Sequence, residues 1–209
     1  MTILLVVAAV VIALTFLYLR NSLVVKVTPV VQRAILKQAE WIKLVPVKEP
    51  QWSDPGKIEA MTGELAVEGF TAAGDYSVDE LAVLLRLMVN TSDGVTANIH
   101  DHPKGGIWAE LVTRYEDGSS ATATTLPDKG VPRPEWLKTL RLPGASPAQL
   151  CRELVRTRPQ GPVRTVTAAD AAHEFAQTYF TYMAWLKNRQ LSADDVLKMV
   201  EKAKTGVHR

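Results

Sequence analysis

Hydrophobic and polar positions change rhythm three times along this chain. Thr2 to Leu19 (TILLVVAAVVIALTFLYL) runs for eighteen residues without a charge or a polar stripe. As a helix at about 1.5 Å per residue it reaches roughly 27 Å, close to the hydrocarbon thickness of a bilayer. A core helix would show a polar face. The pattern therefore predicts a single transmembrane helix over residues 1–22, with Tyr18 at an interface and Arg20 snorkelling to the headgroups. A cleavable signal fits less well. No Lys or Arg precedes the run, and Leu17-Tyr18-Leu19-Arg20-Asn21 stands where a small-x-small site would be.

The second rhythm covers residues 23–52, read as a basic juxtamembrane amphipathic helix and a Pro-rich linker. Thr28-Pro29 is a helix start, and Val31, Ile35, Ala39 and Ile42 recur at helical spacing with Arg33, Lys37 and Lys43 between them. A cationic helix of this kind, carrying Trp41, can lie in the headgroup layer, where each Lys or Arg gains about 1 kcal/mol from anionic lipid. The same periodicity suits packing on a folded domain. Pro46, Pro50 and Pro55 then close helical structure.

From residue 53 to 209 the pattern predicts one globular α+β domain. Ser53-Asp54-Pro55 caps a helix bearing Ile58, Met61 and Leu65, closed by Gly69-Phe70. The period then becomes two. Leu85, Leu87 and Val89 alternate with Arg86, Met88 and Asn90, and Val95, Ala97 and Ile99 alternate with Thr96, Asn98 and His100. Ile107 to Tyr115 and Ser119 to Leu126 are two further runs. Short turns containing Gly separate all four, as in an antiparallel β-meander. Further strands around Tyr76 and from Lys138 to Leu142 would bring the count to between four and six. Ser146-Pro147, Thr167 with Asp170, and Ser192 with Asp195 open three more helices. The simplest assembly is one antiparallel sheet with the helices on one face.

Charge sharpens the picture. Residues 20–50 carry a net +4 and residues 51–209 a net −2, so the chain's +2 is a juxtamembrane property. Cations follow the apolar run rather than precede it, which predicts the globular part on the cytoplasmic side of a cell membrane. The single cysteine, Cys151, excludes a disulfide framework. Within the domain, residues 54–128 sum to −9 and residues 129–164 to +6. Arg152 and Arg156, four apart on one helix, join Lys26, Arg33, Lys37 and Lys43 as candidates for binding anionic lipid or an acidic partner; the alternative is neutralisation of the acidic sheet region. A domain of net −2 without a binding motif gives no reason to expect nucleic acid.

Catalytic signatures are lacking: there is no G-x-S-x-G, no P-loop, no dinucleotide fingerprint and no H-E-x-x-H. No cofactor is expected. The one metal-like pattern is His100-Asp101-His102, which on a strand places both imidazoles on one face. Glu110 or His173 would have to supply a third ligand. Cys151 adjoins an apolar helix face and reads as a small hydrophobe. Glu116-Asp117-Gly118 is a hairpin turn before it is an acid/base pair. Two function classes remain: a single-pass membrane protein whose domain binds a protein partner or small ligand at the bilayer surface, and a membrane-anchored enzyme with a metal at His100 and His102.

Overall fold

The computed structural model of this protein describes residues 25–206. The transmembrane helix expected over 1–22 lies outside the described residues, and among those described no helix is long and apolar enough to cross a membrane. The chain divides into two compact units.

The larger unit comprises Ala39–Asp128 and Arg133–Trp185. Its centre is a seven-stranded sheet in the order β1-β2-β3-β4-β5-β6-β7. The strands are β1 (Val45–Pro46), β2 (Thr71–Val78), β3 (Val83–Asn90), β4 (Val95–His102), β5 (Gly106–Arg114), β6 (Ser120–Thr124) and β7 (Leu137–Arg141). The first six pair antiparallel, and from β2 to β6 the short connections require it. In the β3–β4 turn, Gly94 has φ +62°, and a Cβ there would overlap Val163 Cγ1, so the close approach of this turn to Val163 admits only glycine.

Two features of the sheet depart from expectation. β7 pairs parallel to β6, with Ser120 opposite Leu137 and Thr124 opposite Arg141. Residues 125–136 make a connection long enough to carry the chain back to the start of β6 before β7 begins. Helices also cover both faces of the sheet instead of one. On one face α2 (Pro55–Val67) and α3 (Pro147–Thr157) pack Ile58, Met61, Leu65, Leu150 and Leu154 against Val95, Ala97, Ile99, Ala109, Leu111, Ala121 and Ala123. On the other, Ala171, Phe175 and Tyr179 of α4 (Ala171–Asn188) pack against Val83, Leu85, Leu87 and Val89. β3 is apolar in its odd positions and β4 likewise, but antiparallel register offsets the two by one residue. Leu85 is paired with His100, so Ile99 faces away from Leu85. Each face therefore receives an apolar patch and each needs a cover.

Two of the caps read from the sequence for this unit are formed. Asp54 accepts from Lys57 N, and Ser146 makes a capping box with Gln149. The box expected at Thr167 is not: its Oγ1 donates to Asp170 Oδ2 at 2.6 Å instead of accepting from a backbone N–H, and α4 begins only at Ala171.

The segment read as a linker contributes to this unit. Ile42 is buried with Val78 and Leu85, β1 pairs with β2, and Tyr179 Oη donates to Ala39 O at 2.8 Å. Trp41, expected among headgroups, stacks on Phe180 with ring centroids 3.7 Å apart.

The smaller unit comprises residues up to Gln38, Lys129–Pro132 and Leu186 onward. It holds α1, over residues 25–36, and α5 (Ala193–Gly206). Thr28-Pro29 does not open α1, which is already helical at residue 25, and the helix stops at 36, short of Ala39, Ile42 and Lys43. Within this unit Gln32 Nε2 donates to Arg189 O at 3.4 Å, and Ser192 caps α5 by accepting from Asp195 N.

Candidate functional site

Strand alternation decides which side chains meet α4. On β4 these are Thr96, Asn98 and His100; on β5 Trp108, Glu110, Val112 and Arg114; on β6 Ser120, Thr122 and Thr124; on β7 Leu137, Thr139 and Arg141. Cross-strand pairing lines them up in rows. One row runs Leu87, Asn98, Glu110, Thr124, Arg141, and the next runs Val89, Thr96, Val112, Thr122, Thr139. The sheet face under α4 is therefore apolar at β3 and becomes polar toward β7. Asn98, Thr96, Thr122, Thr124, Ser120 and Arg114 in it are all buried. A polar layer inside a fold costs free energy unless it is bonded.

Arg114 is the best anchored of these groups. Its Nη1 donates to Thr96 Oγ1 at 2.9 Å, and its Nε and Nη2 donate to Thr178 Oγ1 of α4 at 3.2 and 3.1 Å. Glu174 lies 3.7 Å from Arg114 and also pairs with Arg164. Burial, with Arg164 adding to it against the pull of Glu174 and Glu110, lowers the Arg114 pKa to about 10, which leaves it a cation at neutral pH. Beside this cluster is a cavity of about 130 Å³ whose lining includes Arg114, Tyr115, Ser120, Trp136 and Arg164, together with Glu174 and Thr178 of α4. Ser120 Oγ, buried here, has no hydrogen-bond partner among the described residues.

Glu110 occupies the middle of the layer. Burial raises its pKa against the opposing fields of Arg133, Arg141 and Arg114. Burial likewise raises the Tyr182 phenol, with Arg133 and Arg141 pulling it down and Glu110 pushing it up, which marks these four as one electrostatic group. A carboxyl whose pKa is higher folded than unfolded lowers stability once pH passes the unfolded value, because the folded state then holds its proton more tightly. Glu110→Gln is accordingly expected to raise the thermal midpoint at pH 7 and to leave it unchanged at pH 4, a difference that calorimetry at the two pH values reads directly.

The two histidines read as a metal pair have separate surroundings. His100 is buried and stacked on Trp108 at 4.5 Å with a 6° interplanar angle; Phe175 of α4 lies 5.9 Å away. Its Nε2 has no partner among the described residues, and burial holds its pKa down to about 3. His102 Nδ1 accepts from Lys104 N and Gly105 N at 3.0 and 2.9 Å and so closes the β4–β5 turn. Asp101, on the opposite face, accepts from Ser53 N and Oγ at 2.6 and 2.7 Å. His173 is exposed. Among the described residues no group of three or more His, Cys, Asp or Glu is placed to hold a metal ion.

The lipid candidates also part company. Lys26, Arg33 and Lys37 are exposed in the smaller unit. Lys43, exposed in the larger one, donates its backbone N–H to Glu80 Oε1 at 3.2 Å. Arg152 pairs with Glu68 and Arg156 with Glu153. Arg158 reaches Asp93 O at 2.7 Å and Thr113 Oγ1 at 2.9 Å, and Arg141 lies 3.7 Å from Asp128. Much of the basic stretch is thus spent within the fold. Cys151 is buried beside Leu150 and Leu154, and burial lifts its thiol to about 11, the condition of a packing residue. Asp117 accepts from Ser119 N and Oγ, as a turn residue does.

The polar layer escaped the sequence reading. Its signal was present as the second phase of β5, where Trp108, Glu110, Val112 and Arg114 alternate with Ala109, Leu111 and Thr113. Comparisons with protein-family models, with curated proteins and with solved structures each found no match.

Proposed function

We propose that this chain is a membrane-anchored binding protein. A single helix over Thr2–Leu19 holds it in a cell membrane, the α+β unit lies on the cytoplasmic side, and its polar layer takes a ligand or partner at the bilayer surface. The observation that carries the reading is the placement of cations directly after the uncharged run. At 100° per residue, Lys26 and Arg33 fall within about 20° of one another around the α1 axis, and Lys37 follows just past its end. All three are exposed, and the two on α1 lie opposite the buried Ile35. Such a stripe is what an anionic leaflet attracts, and Val25, Val30 and Leu36, exposed on the same helix, add apolar contact for the interface.

Binding rather than catalysis is favoured by how the reactive groups are used. The Cys151 thiol is packed, His102 closes a turn, His100 is stacked on Trp108, and Asp117 braces a hairpin. The competing metal-assisted enzyme is separated by elemental analysis of the purified full-length chain. The binding reading predicts no stoichiometric metal. About one zinc per chain, lost in His102→Ala, would favour the enzyme instead.

A further inference from the structure

We propose that the cavity between Arg114 and Arg164 binds a small tetrahedral oxyanion, the phosphate group of a free phosphate or of a lipid headgroup. The inference rests on the reading of this chain as a binding protein and names the chemistry of its site.

Charge comes first. Two guanidinium groups, Arg114 and Arg164, share the single carboxylate of Glu174, and both line the cavity. One positive charge is left over at the edge of a buried layer, where weak solvent screening magnifies its field. Hydrogen bonding points the same way. Arg114 is buried and spends three of its five N–H groups on Thr96 and Thr178. The hydroxyls lining the cavity are otherwise committed: Ser119 donates to Asp117, Thr178 to Glu174 O and Thr181 to Gln177 O. Ser120 is the exception, only 5 % exposed and with a hydroxyl that has no partner among the described residues. A fold that leaves a buried hydroxyl unbonded beside a surplus cation gives up free energy, and a ligand accepting from both recovers it.

Size and walls narrow the ligand. About 130 Å³ admits several waters or one phosphate-sized group, and Trp136 and Tyr115 wall the cavity with aromatic surface. A cationic ligand would meet the surplus positive charge, and an apolar one would leave the guanidinium groups unsolvated. A planar fork facing a tetrahedral oxyanion is the pairing for which arginine is suited.

The test uses the full-length chain in detergent micelles at fixed ionic strength. Inorganic phosphate and a short-chain phosphatidic acid are titrated separately by calorimetry, with chloride as the control. Saturable binding of at least one probe is expected, weakened about tenfold by Arg164→Gln and by Ser120→Ala. Ser120→Ala separates binding from folding, since removal of an unbonded hydroxyl should leave the thermal midpoint without phosphate unchanged or raised. Preference for inorganic phosphate identifies a free anion as the ligand, and preference for the lipid identifies a headgroup. If neither probe binds saturably, or if both variants bind as tightly as the parent chain, the proposal is overturned. That failure would leave the metal analysis and the membrane attachment as they stand.

Discussion

Below pH 6.5 the chain is expected to lose stability relative to its His100→Phe variant by about 1.4 kcal/mol for each pH unit, down to about pH 3. His100 is stacked on Trp108, with Phe175 nearby, in a buried layer that opposes its charged form, so its pKa falls to about 3. The unfolded chain takes up this proton near pH 6.5 and the folded chain does not until about pH 3. Between those values the unfolded state binds more protons, and acid pulls the equilibrium toward it. The accumulated loss is on the order of 5 kcal/mol at pH 3, comparable with the whole stability of many domains. Phenylalanine keeps the stacked ring and removes the titration. Urea unfolding of both chains from pH 7 to pH 4 measures the difference, in which the contributions of shared carboxyls cancel. Parallel curves would mean that His100 is charged within the fold.

Arg86→Met should cost about 3–5 kcal/mol, because it leaves a carboxylate without its counter-charge in a partly buried place. Arg86 Nε and Nη2 hold both oxygens of Asp75 at 2.8 and 2.9 Å, while Nη1 reaches Glu59 Oε1 at 2.7 Å and Thr62 Oγ1 at 3.0 Å. Its guanidinium lies 5.5 Å from the Trp52 ring centroid. One side chain thus ties β2, β3 and α2 together. The Arg86 and Asp75 side chains are only 14 % and 18 % exposed, so water does little to replace the bond. The pairing with Asp75 drives the Arg86 pKa upward despite burial, as a fork held by a carboxylate requires. Lysine, which keeps the charge and loses the fork, should recover only part of the loss. A double-mutant cycle with Asp75→Asn checks the assignment: this second substitution should cost far less in a chain that already carries Arg86→Met than in the parent chain.

Much of the larger unit was legible because its signals are local. Capping at Asp54 and Ser146 and the change to period two at β3 all work over a few residues, as does the Ser192 cap in the smaller unit, and each is found where the pattern placed it. What was not legible is what covers what. Glu110 and Arg114 sit in the polar phase of β5, and an alternating strand by itself assigns that phase to water. The covering helix is some sixty residues away in sequence, at Glu174 and Thr178. The one clue was that Leu85 and Leu87 offer apolar side chains on the same face as Asn98 and Glu110, which only the strand register reveals. The parallel β7 was hidden in the same way, since a connection as long as residues 125–136 permits either direction. The histidine pair shares one strand face, as the spacing indicates, but spacing could not show that one ring stacks on Trp108 while the other accepts two turn amides.

The claim on which the functional reading depends is that residues 2–19 are solvated by lipid, and cell fractionation reads it most directly. The full-length chain should sediment with membranes and stay there through an alkaline carbonate wash, and a chain lacking residues 1–24 should move to the supernatant. Recovery of the full-length chain in the soluble fraction would contradict the account.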